Sequence, residues 1–226
     1  MKKNIFILIF FFLGFGALSH EKDYKDISKI EMDIYLNDKV IGYSNYYFTH
    51  SKSGMIVLND TKFEVELFGI KVFSIKSESE EKYKNNKLFS FKSNTLQNNK
   101  KKYVNLIYDE KVNKFIVDGS SFKGEADANN IIGNWWNSKI LEVNSQISPL
   151  SGSIKKQSVK LLKKEKIKLY GKIYEVLQFK LKSTDESLPE DKKLDFDIWM
   201  DPSEGIIVKV GYKRMGQWEY RLKKIN

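Results

Sequence analysis

The feature that most constrains this chain is the alternation of apolar and polar side chains with a period of two residues. Residues 30–36 read IEMDIYL, and the same pattern recurs at 62–67, 194–200 and 206–212. Alternation puts the apolar side chains on one face of a strand, which is typical of an antiparallel sheet with one face on a core. Strands are predicted at 30–36, 40–48, 62–67, 88–95, 102–108, 114–118, 173–181, 194–200, 206–212 and 218–222.

Short turn signals separate these strands. They are Asn85-Asn86, Asn98-Asn99, Asp118-Gly119, Gly171, and Asp201-Pro202 with Gly205. Asparagine and glycine accept the positive φ that tight hairpin turns require, whereas parallel pairing would need crossovers of about a dozen residues. We therefore expect an all-β fold: a single large curved antiparallel sheet, an open or half barrel built as a meander of hairpins, with at most one or two short helices.

The N-terminal segment has the pattern of a signal peptide. Lys2 and Lys3 precede an apolar run, and Ala17 and Ser19 occupy the −3 and −1 positions of a cleavage site. We interpret 1–19 as a signal peptide cleaved after about Ser19, and 20–226 as a single β-rich periplasmic domain. The alternative is an uncleaved anchor, but the apolar stretch is shorter than the roughly 20 residues that span a bilayer. No stable transmembrane anchor is expected after cleavage.

Composition narrows the possible partners. The chain has no cysteine, which excludes disulfides, thiolate metal sites and an anchor through an acylated cysteine. The formal net charge of +10 falls to +8 when Lys2 and Lys3 leave with the signal peptide. Arg214 and Arg221 are the only arginines, whereas phosphate and base recognition favours arginine. With an exported destination, this argues against nucleic acid as a partner.

The sequence contains no recognisable catalytic or metal-binding set. His20 and His50 are the only histidines, and G-x-S-x-G is absent. We therefore expect a non-enzymatic protein with no cofactor and no metal. Two acidic pairs, Glu64 with Glu66 and Asp195 with Asp197, are expected on solvent-facing sides of strands. A hydrolase that uses paired carboxylates is the alternative that they leave open.

Two other segments are open to two interpretations each. Block 155–172 contains eight lysines against Glu165, with Val159, Leu161 and Ile167 expected to face inward. It is predicted to be an edge strand guarded by lysine, and the alternative is a patch for anionic lipid.

Segment 128–141 is predicted to be a short helix or a loop. On a strand, Trp135 and Trp136 would face opposite sides, so one of them would contact a second apolar surface or a ligand; the alternative is that they pack in the core or cover a loop.

A resemblance adds to this interpretation. The hairpin at 197–212 (DIWMDPSEGIIVKVGY) resembles the terminal hairpin of several exported bacterial β-sheet families, with Trp-x-Asp-Pro-x-x-Gly before an apolar strand. With Trp135-Trp136-Asn137, the strand pair at 30–48 and the closing 216–222, residues 28–226 resemble one proteobacterial family of unknown function. Its relatives include exported domains with a large curved sheet, similar to the lipoprotein-carrier architecture.

The resemblance implies a sheet curled around an apolar cavity that shelters an acyl chain. The expected ligand or cavity-lining residues are Trp135, Trp136, Ile34, Phe63, Val65, Phe196 and Ile198. Our leading hypothesis is thus a periplasmic protein that binds a hydrophobic or lipid-like ligand. The alternative is a structural or assembly protein of the cell envelope that acts on a partner protein through its sheet edges and lysine face.

Overall fold

The computed structural model describes residues 24–214 and 216–226, and the predicted signal peptide and His20 lie outside them. Within the described residues there are fifteen strands and three short 3₁₀ helices, which confirms the all-β prediction. The strands are β1 (Lys29–Leu36), β2 (Lys39–Ser51), β3 (Gly54–Leu67), β4 (Ile70–Lys84), β5 (Lys87–Gln97), β6 (Lys100–Asp109), β7 (Lys114–Gly119), β8 (Lys123–Asp127), β9 (Ile131–Ile132), β10 (Ser145–Ile147), β11 (Ile154–Leu169), β12 (Lys172–Ser183), β13 (Asp195–Asp201), β14 (Ile206–Lys213) and β15 (Gln217–Ile225). The 3₁₀ helices are Tyr24–Asp26, Ser138–Leu141 and Glu190–Lys192, and no helix in this part of the chain is long and apolar enough to cross a membrane.

All fifteen strands form one sheet in the order β8-β7-β6-β5-β4-β3-β2-β1-β15-β14-β13-β12-β11-β10-β9. The first and last strands pair antiparallel in the middle of it, with Ile34 opposite Tyr220. From this central pair, β2 to β8 run outward on one side and β14 to β9 on the other. Neighbouring strands are antiparallel except β9 and β10, which pair in parallel. Because β8 and β9 are edge strands, the sheet is open, as predicted.

The sheet curls because its two wings pack against each other. Phe91, Val104 and Phe115 of one wing share a core cluster with Ile132 and Ile147 of the other. These residues lie on strands far apart in the sheet order, so only strong curvature brings them together. Side-chain packing, rather than a closed ladder of hydrogen bonds, completes this half barrel.

The loop between β10 and β11 tightens that contact. The Ser121 backbone N–H donates to the Ser151 carbonyl over 2.9 Å, and the Ser93 hydroxyl donates to the Pro149 carbonyl over 2.5 Å. A Cβ on Gly119 would lie 2.6 Å from that Ser151 oxygen, so this approach requires glycine. Asp118 and Gly119 were expected to be a turn. They instead end β7, and the turn follows them.

The sequence left residues 77–82 without an assigned strand, and one residue expected to face inward is exposed. Residues 77–82 are part of β4, whose inward face there carries Ser77, Ser79 and Glu81 instead of apolar side chains. Leu161, expected to face inward, is instead exposed at the point where the β11–β12 register shifts between Leu161 and Lys163. The irregularity is local, because Val159 before it and Ile167 beyond it both face the core.

The position of the lysine-rich strand agrees with the guarded-edge interpretation. β11 pairs with β12 from Gln157 to Leu169, but its other side pairs with β10 only from Ile154 to Lys156. The remaining backbone on that side is a free edge. Val159 and Ile167 are half-buried against the core, as expected.

The tight turns are confirmed at the two asparagine pairs, since Asn85-Asn86 and Asn98-Asn99 have positive φ, and Asn37-Asp38 adopts the same conformation between β1 and β2. Two other turns carry an aromatic residue in this conformation, at Tyr170-Gly171 and Phe68-Gly69. The Tyr170 hydroxyl is held by Asp33 over 2.7 Å. Phe68 instead exposes 95% of its surface at φ 51°, a conformation that is costly for a bulky side chain.

Phe68→Asn is expected to stabilise the β3–β4 hairpin by about 1 kcal/mol, because asparagine before glycine suits this turn and phenylalanine does not. Amide hydrogen exchange across residues 64–74 should slow about fivefold. Asn85→Phe makes the reverse change in the β4–β5 turn, which is the next turn along the chain. It is the matched control and should accelerate amide exchange in that turn. Unchanged exchange in both variants would show that the turn residue does not limit hairpin stability.

Candidate functional site

A cavity of about 750 Å³ lies on the concave side of the half barrel. One wall belongs to β2, β3 and β4, and the opposite wall to β13, β14 and β15. Lys102, Ser121, Lys155 and Arg214 line its opening. The ladder registers place all four at the end of the sheet that carries the β1–β2 and β14–β15 turns, which we call the mouth end.

The wall formed by β2–β4 is polar. The hydroxyls of Ser44 and Thr61 lie 2.7 Å apart, and the Asn59 amide donates to Ser44 over 3.1 Å. In the same row across the next two strands, Ser77 and Thr95 share another hydroxyl pair at 2.7 Å. Cross-strand hydroxyl pairs stabilise a sheet, and here they also leave acceptor lone pairs facing the cavity. We call this surface the hydroxyl wall.

The opposite wall is aromatic. Trp135 packs edge-on against Phe196, with ring centroids 5.0 Å apart, and tilts against Tyr220 at 6.1 Å. Phe196 meets Tyr212 at 5.3 Å. Burial raises the pKa of both tyrosines, so their hydroxyls remain protonated. These four rings form the aromatic wall.

A plug, residues 133–144, forms the inner end of the cavity. A Cβ on Gly133 would lie 1.8 Å from Gln146 Oε1, so only glycine lets the chain enter here. Gln146 donates to Gln157, which in turn donates to the carbonyls of Ile140 and Val143 over 2.8 and 3.1 Å. This buried pair of glutamines satisfies the backbone of the plug, which lacks a ladder of its own.

Glu81 fastens the plug to the hydroxyl wall. Its Oε1 accepts from Asn134 Nδ2 over 2.7 Å and from Trp136 Nε1 over 3.0 Å, and its Oε2 accepts from the Tyr83 hydroxyl over 2.6 Å. Burial raises the pKa of Glu81 to about 7, although the three hydrogen bonds oppose this shift. The carboxyl group therefore changes charge near neutral pH inside the molecule.

The mouth carries mixed charge with an excess of lysine. Lys192, Lys193, Lys213 and Arg214 line it together with Glu190, Asp191 and Asp195. Lys193 pairs with Glu190 over 2.5 Å, and Arg214 donates to the Glu190 carbonyl over 3.3 Å. With Lys102 and Lys155 on the rim, the mouth is suited to attract an anionic group.

The seven predicted lining residues separate into three groups. Trp135 and Phe196 line the cavity. Trp136 belongs to a different core cluster and lines a second hollow of about 960 Å³ at the opposite end, between the β2–β3 and β4–β5 turns. The others lie within the packed core and not on the cavity wall: Ile34, Phe63 and Val65 in one cluster, and Ile198 in another.

Trp135 and Trp136 do not lie on a strand. Trp135 and Trp136 lie in the irregular plug, where the Asn134 side chain accepts from the Asn137 backbone over 3.3 Å and tightens the turn between them. Trp136 is surrounded edge-on by Tyr24, Phe48 and Tyr83. The strand on which the two tryptophans would face opposite sides is absent, and the turn instead places Trp136 in the core and Trp135 at the cavity wall.

Sequence reasoning missed the hydroxyl wall. Ser44, Thr61 and Ser77 occupy inward positions of strands, but a search for apolar alternation passes over them. The signal that would have found them is the recurrence of small polar residues at every second position across neighbouring strands. Glu81 was missed in the same way, because apolar alternation does not mark the polar residues 77–82 as a strand.

Of the titratable residues singled out in the sequence, Asp195 lies at the mouth, and Glu64, Asp197 and His50 lie outside the cavity. Asp195 and Asp197 both pair with Lys180, over 2.5 and 3.2 Å, and Glu64 pairs with Lys71 over 2.9 Å. His50 contacts the Ile27 carbonyl at 2.9 Å. Across residues 24–214 and 216–226, no group of three or more His, Asp or Glu side chains is arranged to hold a metal ion.

Comparison with known proteins agrees with this architecture. The family described as "Domain of unknown function (DUF6134)" matches residues 32–223. The chain is also similar to a solved beta-barrel-like protein of domain of unknown function DUF1849 from Brucella abortus, with a TM-score of 0.61 at 10% identity over 88% of this chain and 96% of that one. This second likeness shows the fold alone. A search of curated proteins finds no match.

Proposed function

The chain belongs to the DUF6134 family of domains of unknown function, and we propose that it is a non-enzymatic protein that holds a small amphiphilic molecule in its cavity. The observation that carries this proposal is the pairing of an aromatic wall with a hydroxyl wall across about 750 Å³. A cavity of this size matches those that hold small ligands. The proposal includes export to the periplasm, which is supported by the sequence of residues 2–19.

The two walls favour different parts of one ligand. Trp135, Phe196 and Tyr212 offer ring faces and edges to an apolar or ring-shaped group. Ser44, Thr61 and Asn59 hydrogen-bond one another but leave acceptor lone pairs towards the cavity, which an apolar chain would cover without providing a donor. A purely hydrophobic ligand, as the sequence suggested, is therefore a poorer fit than a lipid-like molecule with a polar part.

The mouth favours an anionic polar group. Lys102, Lys155 and Lys213 stand on the rim, and lysine supplies a flexible positive charge without a fixed geometry. A carboxylate, sulfonate or phosphate group at the mouth would leave the apolar part of the ligand against the aromatic wall.

The envelope-assembly alternative has less support. Its natural surface is the free edge of β11, where a partner strand would add to the sheet. Lysines along that strand and the bulge after Leu161 are the features that disfavour such pairing. The cavity thus supports ligand binding better than the edge supports assembly.

Native mass spectrometry of the protein purified from its own cells tests the proposal. We expect a small-molecule adduct that disappears when the protein is unfolded, together with uptake of an anionic amphiphile such as anilinonaphthalene sulfonate by the emptied protein. A ligand-free mass combined with no uptake by a protein that circular dichroism shows to be folded would contradict it.

Phe196→Ala is expected to weaken anilinonaphthalene sulfonate binding about tenfold, because it removes one aromatic contact from the cavity wall. Phe89→Ala is the matched control. Phe89 is also half-buried but lies under Lys84 outside the cavity. Fluorescence titration of both variants separates the two sites, and an equal loss in both would show that the probe does not occupy the cavity.

A further inference from the structure

The β3–β4 hairpin extends past the ladders that join it to its two neighbouring strands. The β2–β3 ladder ends where Gly42 meets Phe63, and the β4–β5 ladder starts where Ile75 meets Gln97. Apart from the hydrogen bonds between Ser74 and Asn98, residues 64–74 therefore pair only with each other, and four residues of strand reach about 13 Å. We call this segment the arm. Val65 and Phe73 anchor its base on a core cluster.

The tip of the arm is apolar and exposed. Leu67, Phe68, Ile70 and Val72 are all exposed large hydrophobic residues, and a Cβ on Gly69 would meet nothing within 4 Å. Phe68 keeps its side chain in solvent at a positive φ, where three comparable turns use asparagine. The chain thus bears a conformational cost and a solvation cost at one residue, which indicates that the exposed ring has a use.

The arm stands at the mouth end. In the ladders, its turn falls on the same side of the sheet as the β1–β2, β5–β6 and β14–β15 turns, and Arg214 of the last of these lines the mouth. Exposed lysines flank it, with Lys39 on the β2 side and Lys100 and Lys101 on the β6 side. Within the arm, Lys71 pairs with Glu64 and Glu66 adds one negative charge.

From this geometry we propose that the arm docks the protein onto an anionic lipid bilayer, with Phe68 and Ile70 inserted at the headgroup boundary and the mouth facing the membrane. Aromatic and aliphatic side chains insert at this depth, and each nearby lysine adds attraction to anionic lipid. A stable protein interface would need roughly 20–30 residues on each side, many more than the arm tip offers. This docking does not depend on what the cavity holds.

The absence of cysteine makes a local test possible, because one introduced thiol can be labelled alone. Phe68→Cys in the full chain, carrying an environment-sensitive fluorophore, should shift its emission to shorter wavelength on vesicles of phosphatidylglycerol and phosphatidylethanolamine. It should shift far less on phosphatidylcholine. Local emission is the readout because the apolar N-terminal run could itself bind vesicles.

Ile173→Cys is the matched control, since Ile173 is 65% exposed against 68% for Ile70 but lies at the opposite end of the sheet. It should show no shift. Adding Ile70→Ser to labelled Phe68→Cys should weaken insertion about tenfold. Phe68→Asn keeps a stable hairpin but lacks the exposed ring. As an unlabelled competitor, it should therefore displace the labelled protein from vesicles far less than the unlabelled native chain does.

Equal shifts at positions 68 and 173 would overturn the proposal, because they would show general adhesion. No shift at position 68 on anionic vesicles would also overturn it, and the arm would then belong to a protein partner. Loss of the vesicle response with intact uptake of anilinonaphthalene sulfonate would reject docking while leaving the cavity function in place.

Discussion

Glu81→Gln is expected to remove a pH dependence of stability between about pH 4.5 and 7. Burial raises the pKa of Glu81 to about 7 in the folded chain, whereas the unfolded chain has the ordinary value near 4.5. Between these values the folded state binds more protons, so the free energy of unfolding falls as pH rises and the loss is complete above about 7. At 1.36 kcal/mol for each tenfold change in proton affinity, the loss of unfolding free energy is about 3 kcal/mol.

Glutamine keeps the shape of the side chain, and its amide accepts from Asn134 and Trp136 through oxygen while donating to the Tyr83 hydroxyl. The variant should therefore be more stable than the native chain at pH 8 and similar at pH 4.5, as measured by urea unfolding across this range. Glu80→Gln is the matched control, because Glu80 pairs with Lys82 over 3.1 Å in a half-exposed position. A Glu81→Gln chain with the native pH slope would show that the carboxyl group titrates normally.

The second large effect separates the two tryptophans. Trp136→Ala should lower the free energy of unfolding by about 3–5 kcal/mol, because it empties a packed site and removes the N–H that Glu81 accepts. Trp135→Ala should cost about 1–3 kcal/mol, since Trp135 is only half-buried at the cavity wall. It should also weaken anilinonaphthalene sulfonate binding, which Trp136→Phe should leave unchanged.

Urea unfolding and probe titration on the three variants measure both quantities. Trp136→Phe retains the ring contacts with Tyr24 and Phe48 and loses only the hydrogen bond, at a cost of about 1–3 kcal/mol. It provides a folded sample even if Trp136→Ala does not fold. Equal stability losses in the two alanine variants would contradict the assignment of Trp136 to the core and Trp135 to the cavity wall.

Most strands could be predicted because their inward positions are apolar. β1 and β13 alternate cleanly, and Ile34 and Ile198 are fully buried as their patterns require. Parts of β3 and β4 escaped prediction where their inward side chains are polar, at Asn59 and Thr61 and at Ser77, Ser79 and Glu81. The β propensity of the residues and the two-residue period of apolar side chains reveal a strand that faces an apolar core. Neither reveals a strand whose inward side chains are polar because it faces a cavity.

The candidate site was only partly predictable for the same reason. Trp135 and Phe196 were found because aromatic residues stand out in a polar segment or an alternating strand. Ser44, Thr61 and Ser77 are ordinary residues one at a time and become a wall only when three ladders align them. Glu81 acquires its role from Asn134 and Trp136, which lie more than fifty residues further along the chain.

The sequence by itself determined the all-β class, the hairpin meander and the asparagine turns, because these depend on side-chain period and on φ preferences of neighbouring residues. Only the tertiary structure decided that the first and last strands pair at the centre of the sheet, that the two wings pack on each other, and that residues 133–144 fill the space between them. Those outcomes depend on contacts between distant residues, whose geometry no local pattern encodes. The arm illustrates both levels: its apolar residues are visible in the sequence, and their exposure at the mouth end follows only from where the neighbouring ladders stop.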